Sequence, residues 1–146
     1  MPLPDPALTP SLICPEATDL TMILDATARH RLHAAMVLVG VHRVPVPVVL
    51  DLVWHQLHPQ TRTLEVPGLT VHLDAATMDL MRWHGARQRL DRHRAGPAWQ
   101  HSLRVFVDET GRPSSETRAD EAVTIAAAKA GPPPVTLAEM RDLAAC

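Results

Sequence analysis

There is no tyrosine anywhere in these 146 residues, and lysine occurs once, as Lys129. No phenolic hydroxyl is therefore available as a nucleophile. Cysteine is nearly absent too: Cys14 and Cys146 stand close to opposite ends, a spacing that reads as two free thiols rather than a disulfide framework. Charge of one sign is also missing. A formal net charge of −2 with nine histidines creates no global field for a nucleic acid, so such a partner would have to be met by a local patch. Long apolar runs are absent: the longest, Ala34 to Val41, is far too short to span a bilayer. The opening "MPLPDPALTP" has no basic stretch ahead of an apolar one, so no secretory signal is expected. The expectation is a soluble, cytoplasmic protein with no membrane partner.

What is present favours one globular domain. Hydrophobic residues make up 46% and charged residues 21%, enough apolar material for a core at this length. Residues 1–14 are proline-rich and read as an extended segment, followed by a single domain over 15–146. Pro15-Glu16 suits a helix start, with Leu20, Ile23 and Leu24 at helical spacing to about Ala28. Residues 29–43 read as a second helix with Leu32, Ala35, Met36 and Val39 in the core, ending near Gly40. Pro45 and Pro47 delay the next helix, expected from about Pro47 to Leu57. "TRTLEVPGLTVHL" (61–73) has the alternation of a hairpin turning at Pro67-Gly68. Asp74 is placed to cap a helix over 75–94 with Leu80, Trp83 and Leu90 on one stripe. Arg104 to Val107 reads as a short buried strand. Glu116, Asp120 and Glu121 favour a helix over 115–130, stopped by Gly131 and three prolines. Thr136 and Glu139 form a T-x-x-E capping box for a last helix. The fold class is thus mainly α with a small β-hairpin or three-stranded sheet.

The order of these pieces resembles the catalytic domain of tyrosine recombinases, the phage-integrase family. "ALTPSLICPEATDLTMILDATARHRLHAAMVLVGVHR" is similar to the family's opening helices, the second of which ends in T-G-x-R. "LDLVWHQLHPQTRTLEV" resembles L-x-W-x-D-I-D-x-x-x-x-T-L-x-V. "VHLDAATMDLMRWHGARQ" resembles the V-P-L-x-x-x-T-x-x-x-L-x-x-H helix. "GPAWQHSLRVFVDETGRP" is similar to the segment carrying V-F-x-x-x-x-G-x-P. "KAGPPPVTLAEMRDLAAC" resembles A-G-x-P-P-I-x-L-H-D-L-R-H-T-A-A-T. The resemblance implies an integrase-like core, and an incomplete one.

In that family a tyrosine attacks the scissile phosphate, and two arginines hold its non-bridging oxygens. A hairpin lysine and a histidine before the second arginine assist proton transfer. Carried over position by position, the first arginine's place holds His42 with Arg43 beside it. The H-x-x-R box reads Ala138 to Arg141. The hairpin has no lysine, and the tyrosine-bearing helix would lie beyond Cys146. The resemblance therefore implies a C-terminally truncated, catalytically inactive domain related to DNA recombination, a remnant of a mobile element. His42, Arg43, Ala138 and Arg141 are its vestigial positions. No metal or cofactor is expected, and any DNA binding should be weak.

Arg43 and Arg141 are the candidate phosphate ligands, joined by Arg87 and Arg94 from "RWHGARQRLDRHR" (82–94), which carries five arginines against one aspartate. A solvated charged face is the competing reading of that stretch, and a structural ion pair that of Arg141. Trp83 and Trp99 read as core aromatics rather than base-stacking platforms. The pairs His30/His33 and His55/His58 have i, i+3 spacing but lack convergent carboxylates or thiols, so surface or capping roles are expected over metal binding. Cys14 reads as a semi-buried small apolar residue. The alternative function is a protein-interaction or self-associating helical module, using the apolar face that a missing C-terminal helix would leave uncovered.

Overall fold

The computed structural model describes residues 15–99, 103–108, 110–133 and 135–143. The reading of 1–14 as extended, and those of Cys14 and Cys146, lie outside them. The helices are α1 (Pro15–Ala26), α2 (His33–Gly40), α3 (Val46–Leu50), α4 (Ala75–Ala95), α5 (Glu116–Ala130) and α6 (Leu137–Leu143). Strands β1 (Leu57–His58), β2 (Thr63–Val66) and β3 (Leu69–His72) form an antiparallel sheet in the order β1-β2-β3.

The centre of the molecule is α2. Its sequence HAAMVLVG is apolar nearly all round, and every residue from Ala34 to Gly40 is buried, as expected of a helix packed on several sides. Helices α1, α3, α4 and α6 all lie against it. The approach of α1 is close enough that a Cβ at Gly40 would sit 2.6 Å from Leu20 Cδ1. This helix starts later than the sequence suggests. Residues 27–32 form turns, in which His30 Nδ1 accepts from the Leu32 amide (3.0 Å) and Thr27 Oγ1 meets His33 Nδ1 (3.2 Å). Leu32 stays buried without being helical.

The helix expected from Pro47 to Leu57 is only the five residues of α3. The backbone beyond it is claimed by a distant segment. Leu52 O accepts from the Val105 amide (2.9 Å), and the Trp54 amide donates to Leu103 O (3.1 Å). That pairing forces an extended conformation at Val53, and a short 3-10 turn (Trp54–Gln56) leads into β1. The strand expected at Arg104–Val107 is reduced to two isolated bridges, Val53 to Arg104 and Val107 to Pro113. The hairpin is as read, with Gly68 at φ +76° in its turn. Leu64, Val66 and Val71 point inward while Glu65, Thr70 and His72 point out.

Helix α4 buries a different stripe from the one its hydropathy suggests. Thr77, Met78, Met81, His84 and Gly85 face the core, Leu80 is half-buried, and Trp83 and Leu90 are exposed. The polar members of the stripe are satisfied from outside the helix. His84 Nε2 donates to Val105 O (2.7 Å), and Gln88 Nε2 donates to Arg104 O (3.0 Å) and Val105 O (3.1 Å). Trp54 Nε1 donates to Gln88 Oε1 (2.8 Å). Asp74 stands at the N-cap position of α4 as expected, and its carboxylate accepts from the Thr77 hydroxyl.

Burial is the main cause that pushes His84 below its ordinary value; the bond to Val105 opposes it, and Arg87 and Arg31 reinforce it. Burial also comes first in lowering His30 and His33. A histidine held neutral in the fold but free to charge when unfolded contributes full stability above its unfolded value, here 6.5. That contribution declines as pH falls below 6.5 toward the lowered folded values. The urea midpoint should therefore drop between pH 7 and pH 5, and His84→Gln should make the drop shallower. An identical pH profile for the variant would remove His84 from this account.

The C-terminal helices follow the sequence closely. Ser115 Oγ accepts from the Arg118 amide (3.2 Å) at the start of α5, and Gly131, at φ +108°, ends it. At α6 the Thr136 amide donates to Glu139 Oε1 (2.8 Å) and the Glu139 amide to Thr136 Oγ1 (3.1 Å), a reciprocal capping box. Asp120 on α5 accepts from the Leu137 amide (2.7 Å), pinning the two helices together.

Candidate nucleic-acid interface

The chain leaves α2 by a sharp route. The His42 amide reaches back to Val37 O (3.3 Å), the Val44 amide to Leu38 O (3.1 Å), and Arg43 between them sits at φ +59°. A non-glycine residue there is uncommon and strained. Contacts from both sides hold the turn. His42 Nε2 lies 2.9 Å from Thr77 Oγ1 and 3.3 Å from Asp74 Oδ1, at the start of α4. From α6, Arg141 Nε donates to the Arg43 carbonyl at 2.8 Å.

These bonds bring His42, Arg43 and Arg141 to one place, although 98 positions separate the two arginines. The guanidinium of Arg43 is exposed, and so is that of Arg141, one of whose nitrogens is committed to the turn. Ala138 is exposed one helical turn before Arg141 and brings no polar atom. The surroundings are not uniformly basic. Asp74 stands beside His42, with its carboxyl held below the usual range foremost by the Thr77 hydroxyl, and Asp142 follows Arg141 in sequence. The charge around the turn is therefore mixed, with Arg43 and Arg141 exposed beside Asp74 and Asp142. Sequence reading missed Asp74 and Thr77 as partners of His42; their D-x-x-T spacing at a helix start was the available signal.

The other two candidates lie elsewhere. Arg87 and Arg94 are 10 and 17 residues beyond Thr77 on α4, roughly 15 and 25 Å along the helix axis. Arg87 Nη1 donates to Arg29 O (2.7 Å), and its guanidinium lies 5.6 Å from the centre of the Trp83 ring. Arg94 is exposed in the last turn of α4, where a cation also complements the helix dipole. The four arginines therefore do not make one site. A separate cleft of about 340 Å³ between α5 and the α1–α2 turn contains none of them. Its charged lining residues are two arginines, Arg31 and Arg118, and two acids, Asp108 and Glu121.

Against solved structures, the chain superimposes on the crystal structure of XerA recombinase with a TM-score of 0.68 at 15% sequence identity. The fold is recombinase-like. The match covers 85% of this chain and 44% of XerA, so the chain spans less than half the length of that recombinase. No family model and no curated protein matches the sequence. At this identity the likeness is one of fold. It agrees with a mainly helical, integrase-like core; His42, Arg43, Ala138 and Arg141, the positions the sequence resemblance singles out, fall at the exit of α2 and on α6.

Among the described residues, no three His, Cys, Asp or Glu side chains converge as a metal group, and no helix is long and apolar enough to cross a membrane. His58 is paired instead with Glu65 across the sheet (3.0 Å), while His55 is exposed. Among the described residues, the exposed large hydrophobics are spread over α1, α4, α5, β3 and the loops, with Trp83 and Leu90 both on α4.

Proposed function

We propose that this chain is a recombinase-like domain that binds DNA phosphate weakly at Arg43 and Arg141 and does not by itself break strands. The observation that supports this reading is the bond from Arg141 Nε to the Arg43 carbonyl, which seats the Arg141 guanidinium against the backbone of the turn that carries the exposed Arg43. The chemistry of the chain supports the second half. It contains no tyrosine to form a phosphotyrosine, and Lys129 lies on α5, not on the hairpin. Losing a single phosphate donor typically lowers rate by about 10²–10³, whereas losing the nucleophile removes the covalent route itself.

Arg43→Gly is the informative substitution. Glycine accepts φ +59° without strain, so the variant should be no less stable than wild type, and more stable than Arg43→Ala by about 1 kcal/mol. In a salt-titrated mobility-shift assay, Arg43→Gly/Arg141→Ala should bind duplex DNA more weakly. Its log–log salt slope should be shallower by roughly 1 to 2, corresponding to one or two lost phosphate contacts. Unchanged affinity and slope would remove the phosphate site. An SDS-resistant protein–DNA adduct from the wild-type chain would overturn the claim of inactivity.

A further inference from the structure

The solvent face of α4 has an order that the recombinase-like reading does not use. Written as a heptad, Trp83, Ala86, Leu90 and His93 take the a and d positions, while Arg82, Arg87, Arg89 and Arg94 take every flanking e and g position. The fold turns this face outward: His84, Gly85, Gln88 and Asp91 face the domain, and Trp83 and Leu90 are 50% and 46% exposed. A trough of about 390 Å³ runs beside Trp83, Ala86, Leu90 and Arg94. Asp91 is engaged by Arg31 at 3.4 Å; of the row, Arg82 meets Asp79 in an exposed pair at 3.5 Å and Arg87 donates to the Arg29 carbonyl, while Arg89 and Arg94 are exposed.

We propose that this face docks an acidic amphipathic helix of a partner protein, apolar at its a and d positions and carrying Glu or Asp at e and g. Charge complementarity selects the occupant. Two copies of α4 laid against each other would oppose four arginines to four, which disfavours a symmetric dimer through this face. A nucleic-acid backbone would satisfy the arginines but leave Trp83 and Leu90, in the middle of the row, without an apolar partner. An amphipathic helix satisfies both, and Trp and Arg are the residue types that dominate the energetics of such contacts. The proposal does not depend on the Arg43–Arg141 reading, whose residues lie on other elements.

The test uses the whole 146-residue chain and a labelled 21-residue helical peptide with Leu at a and d and Glu at e and g. A twin peptide with Lys at e and g, a single-stranded oligo-dT and light scattering of the protein alone complete the experiment. Fluorescence anisotropy should show the Glu peptide bound with at least about ten-fold preference over its Lys twin. Arg89→Glu/Arg94→Glu should invert that preference, and Trp83→Ala should weaken binding about ten-fold; circular dichroism should show each variant folded at the assay temperature, with a slightly lower melting temperature for Arg94→Glu at the helix end. Equal binding of the two peptides, or none, overturns the proposal. So does oligo-dT binding, or concentration-dependent self-association, that is abolished by the same substitutions while the Glu peptide shows no preference.

Discussion

Replacing Phe106 by alanine should lower stability by about 3–5 kcal/mol, the largest effect expected of any single side chain here. Phe106 is the only phenylalanine in the chain and is fully buried. Its ring lies 5.0 Å from that of His84, whose bond to Val105 ties α4 to the loop carrying the phenylalanine. The Phe106 carbonyl also accepts from the Ser114 amide (3.1 Å). With domains of this kind stable by only about 5–15 kcal/mol, the alanine variant should melt lower by about 10 °C or more. Phe106→Leu keeps most of the volume and should recover more than half of the loss. A urea midpoint for Phe106→Ala within error of wild type would mean that the 103–114 loop does not pack as described.

The second large effect joins stability to the candidate interface. Helix α6 is seven residues long, too short to persist on its own propensity. It is held by Leu137 and Met140, both fully buried, and it rests on α1, α2 and α5. Met140→Ala should cost about 2–5 kcal/mol and loosen α6 one residue before Arg141. The Arg141–Arg43 bond should be lost with it, so DNA affinity and salt slope should fall to those of Arg43→Gly/Arg141→Ala, even at temperatures where the rest of the domain stays folded. Adding Leu137→Ala should contribute less than its own separate cost, since the two side chains anchor the same helix. Wild-type DNA binding by a destabilised Met140→Ala would separate the arginine pair from the docking of α6 and count against the interface.

Local signals were legible where local chemistry decides conformation. The Thr136/Glu139 box, the Gly131 stop and the turn at Pro67-Gly68 all form as their residue types dictate, because each is completed by atoms within a few positions. The helix expected to Leu57 failed for the opposite reason. Leu52 and Trp54 find hydrogen-bond partners at Leu103 and Val105, about fifty positions away, and no local periodicity reports that pairing. The stripe on α4 was misread because hydropathy ranks Leu80, Trp83 and Leu90 above Thr77, His84 and Gly85. Burial of those polar and small residues becomes favourable only when His84 meets Val105 O, Thr77 meets His42 and Gly85 makes room for the Trp54 ring.

The sequence by itself determined the element types at the hairpin, at α5 and at α6, and the absence of a phenolic nucleophile, since composition and short-range hydrogen bonding need no third dimension. Only the tertiary structure decided which arginines meet. Arg43 and Arg141 come together because α6 docks on α2, while Arg87 and Arg94 are carried away along α4. It also decided that Trp83 and Leu90 face solvent: the inward side of α4 was already filled by residues with partners on other elements, so the larger apolar side chains were left outside.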